Sequence, residues 1–333
     1  MTNLSKISNE ISESSAAFVE IDEASEGQRI DNFLTKTLKG VPKSHLYRIL
    51  RSGEVRVNKK RVDATYKLLM GDLVRIPPIR ATVAQVDVEL QKPVTARLEK
   101  CVIFEDDAML VLDKPAGMAV HGGSGVSKGV IEQLRLERPQ AKFLELVHRL
   151  DRETSGVLMV GKKRSALVAL HEAMRRNQMD KRYLMLVKGH WTEQKKHVTL
   201  QLQKYLLDNG ERRVSVMTGR PDPRAEDDSQ ISETIFHLVK HYGDFTLLEA
   251  QLITGRTHQL RVQLAHLGFP IVGDDKYGDF PLNKILQKSG LKRMFLHSAE
   301  TNIKHPITTE KLKLIAPLPA ELDRFLKKIE IGN

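Results

Sequence analysis

Apolar positions recur at helical spacing twice near the N-terminus: Ile30, Phe33, Leu34 and Leu38 within 29–39, then Leu46, Ile49 and Leu50 within 44–52. Steps of three and four place each set on one face of a short amphipathic helix, the second opened by Ser44 as an N-cap. After Gly53 come VRV, a polar turn at NKK, and a hydrophobic stretch ending in GDLVRIPP, where Gly71 and Asp72 turn the chain into a last short strand. The pattern predicts a compact helix-helix-strand module over residues 17–80. Residues 81–99 read as a linker with one extended segment, VDVEL.

From Cys101 the period changes. CVIFEDDAMLVLDKPAG reads as two strands across a turn at Asp106 and Asp107, and GVLMVGKK (156–163) and KRYLMLVKG (181–189) as further strands. Between the last two, residues 164–178 carry Leu167, Leu170, Ala173 and Met174 on one helical face. The segments HVTLQLQKYL, RRVSVMTG, ETIFHLVKHYGDFTLLEAQLIT and MFLHSAETNI alternate or are rich in β-branched residues, whereas THQLRVQLAHLG returns to helical spacing with Leu260, Leu264 and Leu267. The fold class predicted for residues 100–325 is α+β, with a mixed, mainly antiparallel sheet. Residues 218–230, polar with two prolines, read as a mobile surface loop, and residues 1–16 as a disordered tail.

Charge sharpens this division. The chain carries a net +11, and residues 29–61 hold ten Lys/Arg against Asp31 and Glu54. A local +8 on a small module is the footprint of a polyanionic partner, with Arg29, Lys43, Arg48, Arg51, Arg56, Lys59, Lys60 and Arg61 as candidate phosphate contacts. Aromatic residues make up only 5% of the chain, which argues against base-stacking platforms as the main mode of recognition.

Other classes are disfavoured. No apolar run approaches the roughly 20 residues that span a bilayer, and the N-terminus lacks the order of a signal peptide. The single cysteine, Cys101, fits a reducing cytoplasm. HGGSGVSKG (121–129) has neither phosphate-loop spacing, and the residue four after His171 is Arg175 rather than a second histidine, so neither a nucleotide nor a metal is expected.

One carboxylate stands between two arginines in HRLDRETSG (148–156). Taken alone, Arg149-Leu150-Asp151-Arg152 reads as a surface ion-pair cluster. Its company changes the reading. DKPAGMAVHGG (113–123), HRLDRETSGVLMV, KRYLMLVKG and TGRTHQLRVQLAHLGFPIVGD (254–274), in this order and followed by MFLHSAETNIKHP (294–306), resemble the ordered motifs of the RluA-type pseudouridine synthases. The basic module resembles an S4 RNA-binding domain, and the architecture resembles the branch of the family that acts on large-subunit ribosomal RNA.

The resemblance implies conversion of specific uridines of 23S ribosomal RNA, free or in a large-subunit assembly intermediate, to pseudouridine, without a cofactor; nothing in the sequence points to an oligomer, and a monomer is expected. It implies Asp151 as the nucleophile, attacking C1′ of the ribose or C6 of the base, and Arg261 as its charge partner. It also implies Tyr183 packing against the base, with its hydroxyl a candidate to remove the C5 proton. Arg149 is the implied wedge that fills the stack left by a flipped nucleotide, with His148 orienting the loop and Leu260 beside the pocket. Without the resemblance, Arg261 reads as a helix-surface charge and Tyr183 as a strand packing residue. Glu153 departs from the aspartate common at that position.

Overall fold

A computed structural model describes residues 16–38, 40–79, 97–122, 128–208, 211–219 and 229–331. The VDVEL segment, the tail to residue 15, and most of the 218–230 stretch lie outside the described residues.

The N-terminal unit is a three-stranded antiparallel sheet, β1 (Ala17–Glu20), β2 (Arg56–Val57) and β3 (Leu73–Ile76), in the order β1-β3-β2. It is packed on α1 (Ile30–Thr37) and α2 (Lys43–Arg51). The helical faces foreseen in the sequence close one core: Ile30, Phe33, Leu34, Leu46, Ile49 and Leu50 are buried together with Val19, Val57, Val74 and Ile76. β1 is not foreseen, because four residues beside a polar tail carry too short an alternation. Ser44 is not the cap. The helix starts one residue earlier, behind Pro42, whose fixed φ suits that position.

The larger unit is one sheet of 11 strands. β4 (Val102–Glu105), β5 (Met109–Lys114) and β7 (Ser155–Gly161) form one end. β8 (Asp180–Lys188), β9 (Lys195–Leu206), β10 (Arg212–Val216), β11 (Gln230–Tyr242) and β12 (Phe245–Leu252) form the other. β13 (Leu296–Lys304) joins the halves, giving the path β10-β9-β11-β12-β8-β13-β7-β5-β4, with β14 (Lys311–Ile315) on β13 and β6 (Glu145–Leu146) on β7. Among the described residues every pair is antiparallel except β13 with β7. At that parallel seam Gly156 has φ +108, and a Cβ there would stand 2.1 Å from the Ser298 carbonyl oxygen, so only glycine admits the approach.

Helices cover both faces. α3 (Val130–Glu137) packs on the face bearing Leu110, Leu112, Leu158 and Val160, and α4 (Arg164–Arg175) on the opposite one with Met109, Val111, Val157 and Met159. That alternation along β5 and β7 is why both strands read as continuous apolar runs. α5 (Gln259–His266) lies against the main core, and α6 (Phe280–Lys288) and α7 (Ala320–Ile331) share a separate cluster around Phe295. Leu98, in the stretch expected as linker, is fully buried in the main core. No helix among the described residues is long and apolar enough to cross a membrane.

Candidate active site

Asp151 sits in the loop that enters β7, and the loop is held from two sides. Below it, the fully buried Lys114 at the end of β5 donates to three carbonyls, those of Pro115 (2.8 Å), Met118 (2.8 Å) and Arg152 (3.1 Å). Burial, with Arg293 adding to it, pulls the Lys114 ammonium down to about 7. From the β13 side, Arg293 donates to the Glu153 carbonyl (3.1 Å), the Ser155 hydroxyl (2.8 Å) and the Leu296 carbonyl (3.1 Å). The loop is thus tied to strands on both sides of β7, one residue from the carboxylate.

Lys114→Met keeps the length of the stem but takes this donor from the Pro115 and Met118 carbonyls, at about 1–3 kcal/mol for each left without one, while the Arg152 carbonyl keeps the Gly117 amide (2.9 Å). The melting temperature of the larger unit should fall by roughly 5–10 °C. Turnover should drop about 100-fold through misplacement of Asp151. Between about 7 and the ordinary lysine range near 10.4, the folded chain binds fewer protons than the unfolded one. The contribution of Lys114 to stability therefore rises with pH across that window, and the variant should lose the slope. Unchanged melting and turnover would refute the anchoring role.

The Asp151 carboxylate, 29% exposed, faces α5. Arg261 Nη1 donates to its Oδ2 at 3.0 Å, across 110 residues of chain. The rest of that guanidinium is committed elsewhere: Nε and Nη2 each meet an oxygen of Asp274 at 2.7 Å, and Nη2 also reaches Asp275 Oδ1 at 3.2 Å. The fork to Asp274 is bidentate, which only a planar guanidinium provides. Burial works against the charge of Asp274, yet the hydrogen bonds and charge of Arg261, with the amides of Lys276 and Tyr277, hold its carboxyl below the usual range. Arg261 is fixed by Asp274 and extends its free nitrogen to Asp151.

The reading of Arg261 as a helix-surface charge is incorrect: it is 4% exposed. α5 is buried almost all round, because its other polar residues find partners indoors. Gln263 accepts from Thr234 Oγ1 (2.7 Å) and donates to Ser232, and Gln259 donates to Thr234 and the Glu233 carbonyl.

His258, just before α5, has a left-handed backbone (φ 52) unusual for a residue with a side chain. Tyr277 Oη accepts from the Val214 amide (3.0 Å) and lies 2.8 Å from His258 Nδ1. Its hydroxyl proton is therefore free to go to Nδ1, leaving the ring proton on Nε2, 3.9 Å from Asp151 Oδ1. Burial lowers the His258 pKa, so this neutral tautomer suits the site. The Arg261 guanidinium also lies over the Tyr277 ring, 5.2 Å from its centroid.

Tyr183, on β8, is 7% exposed and packs in the same core cluster as Leu260. Burial pushes its hydroxyl up to about 12, the nearby charge of Asp151 adds to this, and the hydroxyl of Ser298, its cross-strand neighbour on β13, opposes it. The phenol is protonated at neutral pH. His148 accepts the Met159 amide at Nε2 (3.2 Å), and burial lowers its pKa to about 4. Neutral and engaged, it is a loop-holding group rather than an acid. Arg149 is exposed, two residues before Asp151, and Arg152 points away, donating to the Gly117 carbonyl (3.0 Å).

The structure therefore brings Asp151, Arg261 and Tyr183 together, with His148 holding the strand that follows, while Leu260 lies in the core cluster that also contains Tyr183. His258, Asp274, Lys114, Arg293 and Tyr277 are additions that the sequence does not announce. Three of them, His258, Asp274 and Lys114, lie inside the motif segments, where sequence offers no sign of which polar residues point inward. In the N-terminal unit all eight basic candidates are exposed. Arg29 is partly committed to Asp31 (2.6 Å), and Arg48 lies 3.7 Å from Glu54.

With this geometry in hand, comparison with known proteins is specific. The sequence profile of RNA pseudouridylate synthase matches residues 108–266, a span containing Asp151, Tyr183 and Arg261, and that of the S4 domain matches residues 28–74. The chain is 51% identical over 310 residues to the ribosomal large subunit pseudouridine synthase C of Yersinia pestis, covering 92% of this chain and 93% of that protein. It is 52% identical over 314 residues to the protein of the same name from Escherichia coli strain K12, covering 92% and 94%. Among solved structures, human RNA pseudouridylate synthase domain containing 4 superposes with a TM-score of 0.56 at 25% identity, covering 70% of this chain and 94% of that one. Half of the residues are shared with bacterial relatives along nine-tenths of the chain, and the fold is shared with a human one: the chain belongs to the pseudouridine synthase family.

Proposed function

We propose that this protein isomerises specific uridines of 23S ribosomal RNA to pseudouridine in the cytoplasm, acting as a monomer on free RNA or on a large-subunit assembly intermediate, with Asp151 as nucleophile. The observation that carries the assignment of the nucleophile is the carboxylate of Asp151, partly open to solvent and held at 3.0 Å by a buried arginine that a second carboxylate fixes in place. The large-subunit RNA substrate is supported by the names of the two bacterial relatives.

The reaction needs no redox partner. The N1–C1′ bond breaks, the uracil turns, C5 bonds to C1′, N1 gains a proton and C5 releases one. Attacking C1′, Asp151 displaces N1 and is itself displaced as C5 bonds to C1′; attacking C6, it adds to the base and is eliminated after the C5–C1′ bond has formed; either route divides one difficult step into two. Arg261 aims the carboxylate and balances its charge under the bound base. The Tyr183 ring, flat and 7% exposed, offers a packing surface for the uracil. Its protonated hydroxyl must first give up its own proton before it can accept one from C5. The target nucleotide must leave its stack, at a cost of a few kcal/mol, and Arg149, exposed two residues before Asp151, is the side chain we assign to fill the gap.

The direct test is incubation with 23S RNA tritiated at C5 of uracil. Release of tritium and newly mapped pseudouridines are expected; absence of release on any large-subunit RNA would exclude the activity. The basic module gives a second expectation. Removing residues 1–80 should weaken RNA binding and flatten its salt dependence by about 0.7–0.9 in slope for each phosphate that the module neutralises, with turnover at saturating RNA changed much less. Unaltered affinity would show that the exposed lysines and arginines of this unit do not touch RNA.

A further inference from the structure

A groove of about 560 Å³ is formed where β8, β12, β13 and β14 meet. Its floor is apolar, with Met179, Leu252 and Ile303. On its rim Lys304 and Lys311 stand directly opposite each other across the β13–β14 ladder, both exposed. Like charges in register on neighbouring strands oppose each other and cost stability. The carboxylates nearby do not relieve them. Asp180 is taken by Arg182 (2.9 Å) and Gln251 (2.9 Å), Glu300 pairs with Lys313 (2.9 Å), and Glu310 meets Thr308. Among the described residues neither Lys304 nor Lys311 has an ion-pair partner.

We propose that this groove takes a phosphodiester segment of the substrate RNA away from the reacting nucleotide, with Lys304 and Lys311 as its phosphate contacts. The proposal rests on the RNA-modifying function proposed above. A phosphate between the two ammonium groups turns their repulsion into a paired attraction, which accounts for an arrangement that burdens the free protein.

The test compares full-length wild type, the double variant Lys304→Gln with Lys311→Gln, and a control of equal charge change on α6, Lys284→Gln with Lys288→Gln. Affinity for a labelled large-subunit RNA fragment is followed as log Kd against log salt. The groove variant should drop by about 1.4 in slope, 0.7 for each single-strand phosphate it no longer neutralises, and bind ~10-fold more weakly near physiological salt. The control should stay with wild type, and tritium release at saturating RNA should be unchanged in all three. The groove variant should also melt no lower than wild type, since a repulsion has been removed. A groove variant whose slope equals the control's overturns the proposal while the function stands. A wild type that neither binds the RNA nor releases tritium removes the function, and this proposal with it.

Discussion

Asp151→Asn is expected to reduce tritium release by about 10⁴-fold or more while leaving RNA affinity within a few-fold of wild type. The substitution keeps the shape of the side chain and one oxygen for Arg261 but removes the carboxylate proposed as the nucleophile. The fold should tolerate it, because Arg261 retains its two-point grip on Asp274 and the loop retains Lys114 and Arg293. Melting is therefore the control, and a shift worth more than about 1 kcal/mol would point to a structural role instead. Activity within tenfold of wild type, at unchanged melting, would remove Asp151 from the chemistry altogether.

Arg261→Met has the second large effect, and here stability and activity should fall together. The variant strands the carboxylate of Asp274, which is fully buried, at about 3–5 kcal/mol. It also leaves Asp151 without its aiming partner, for a further drop of about 10²–10³ in turnover. Two further variants separate the effects. Arg261→Lys preserves charge but cannot fork onto Asp274 while reaching Asp151, so it should recover part of the stability and little of the rate. Arg261→Met with Asp274→Asn removes the stranded charge, and should regain stability without regaining turnover. With Arg261 gone, the carboxyl of Asp274 loses what holds it low. In the single variant burial then dominates and raises its pKa, so Asp274 costs stability at neutral pH, and that cost should shrink as acid protonates it. Full rate in the doubly substituted protein would contradict the aiming role.

How far these residues can be read from sequence follows from what each depends on. The two short N-terminal helices and the strands β5, β7 and β8 are legible because their periodicity is local and their faces are cleanly divided. α3, α6 and α7 are not, although each buries apolar residues. The eight residues of α3 follow a glycine-rich stretch of sequence, and α6 opens on Phe-Pro after Asp279, whose side chain caps it through the Leu282 amide (3.0 Å). Such signals are shorter than the periodic ones. α5 misleads in the other direction: its leucines give the helix correctly, while Gln259, Arg261 and Gln263 suggest a wet face that the fold encloses. Whether a polar residue is inside depends on a partner elsewhere in the chain, here Thr234, Ser232 and Asp274, and periodicity carries no information about partners. The Asp151–Arg261 pairing can be anticipated only from the order of motifs. The support of that pair by Asp274, His258 and Lys114 needs coordinates.

The parallel seam between β7 and β13 bears on how the chain folds. Ser155 Oγ and His297 Nδ1 meet there at 2.9 Å although 142 residues separate them, and the Asp151–Arg261 pair spans 110. Closing loops of this length precedes any reward from the interactions themselves, so they form slowly compared with the local hairpins β4–β5 and β11–β12. A nascent chain with both hairpins and several helices in place still lacks the seam, and with it the guanidinium opposite the carboxylate. Catalytic competence is therefore acquired with the completed tertiary structure and not in proportion to secondary structure. During refolding, recovery of tritium release should lag behind the far-ultraviolet signal.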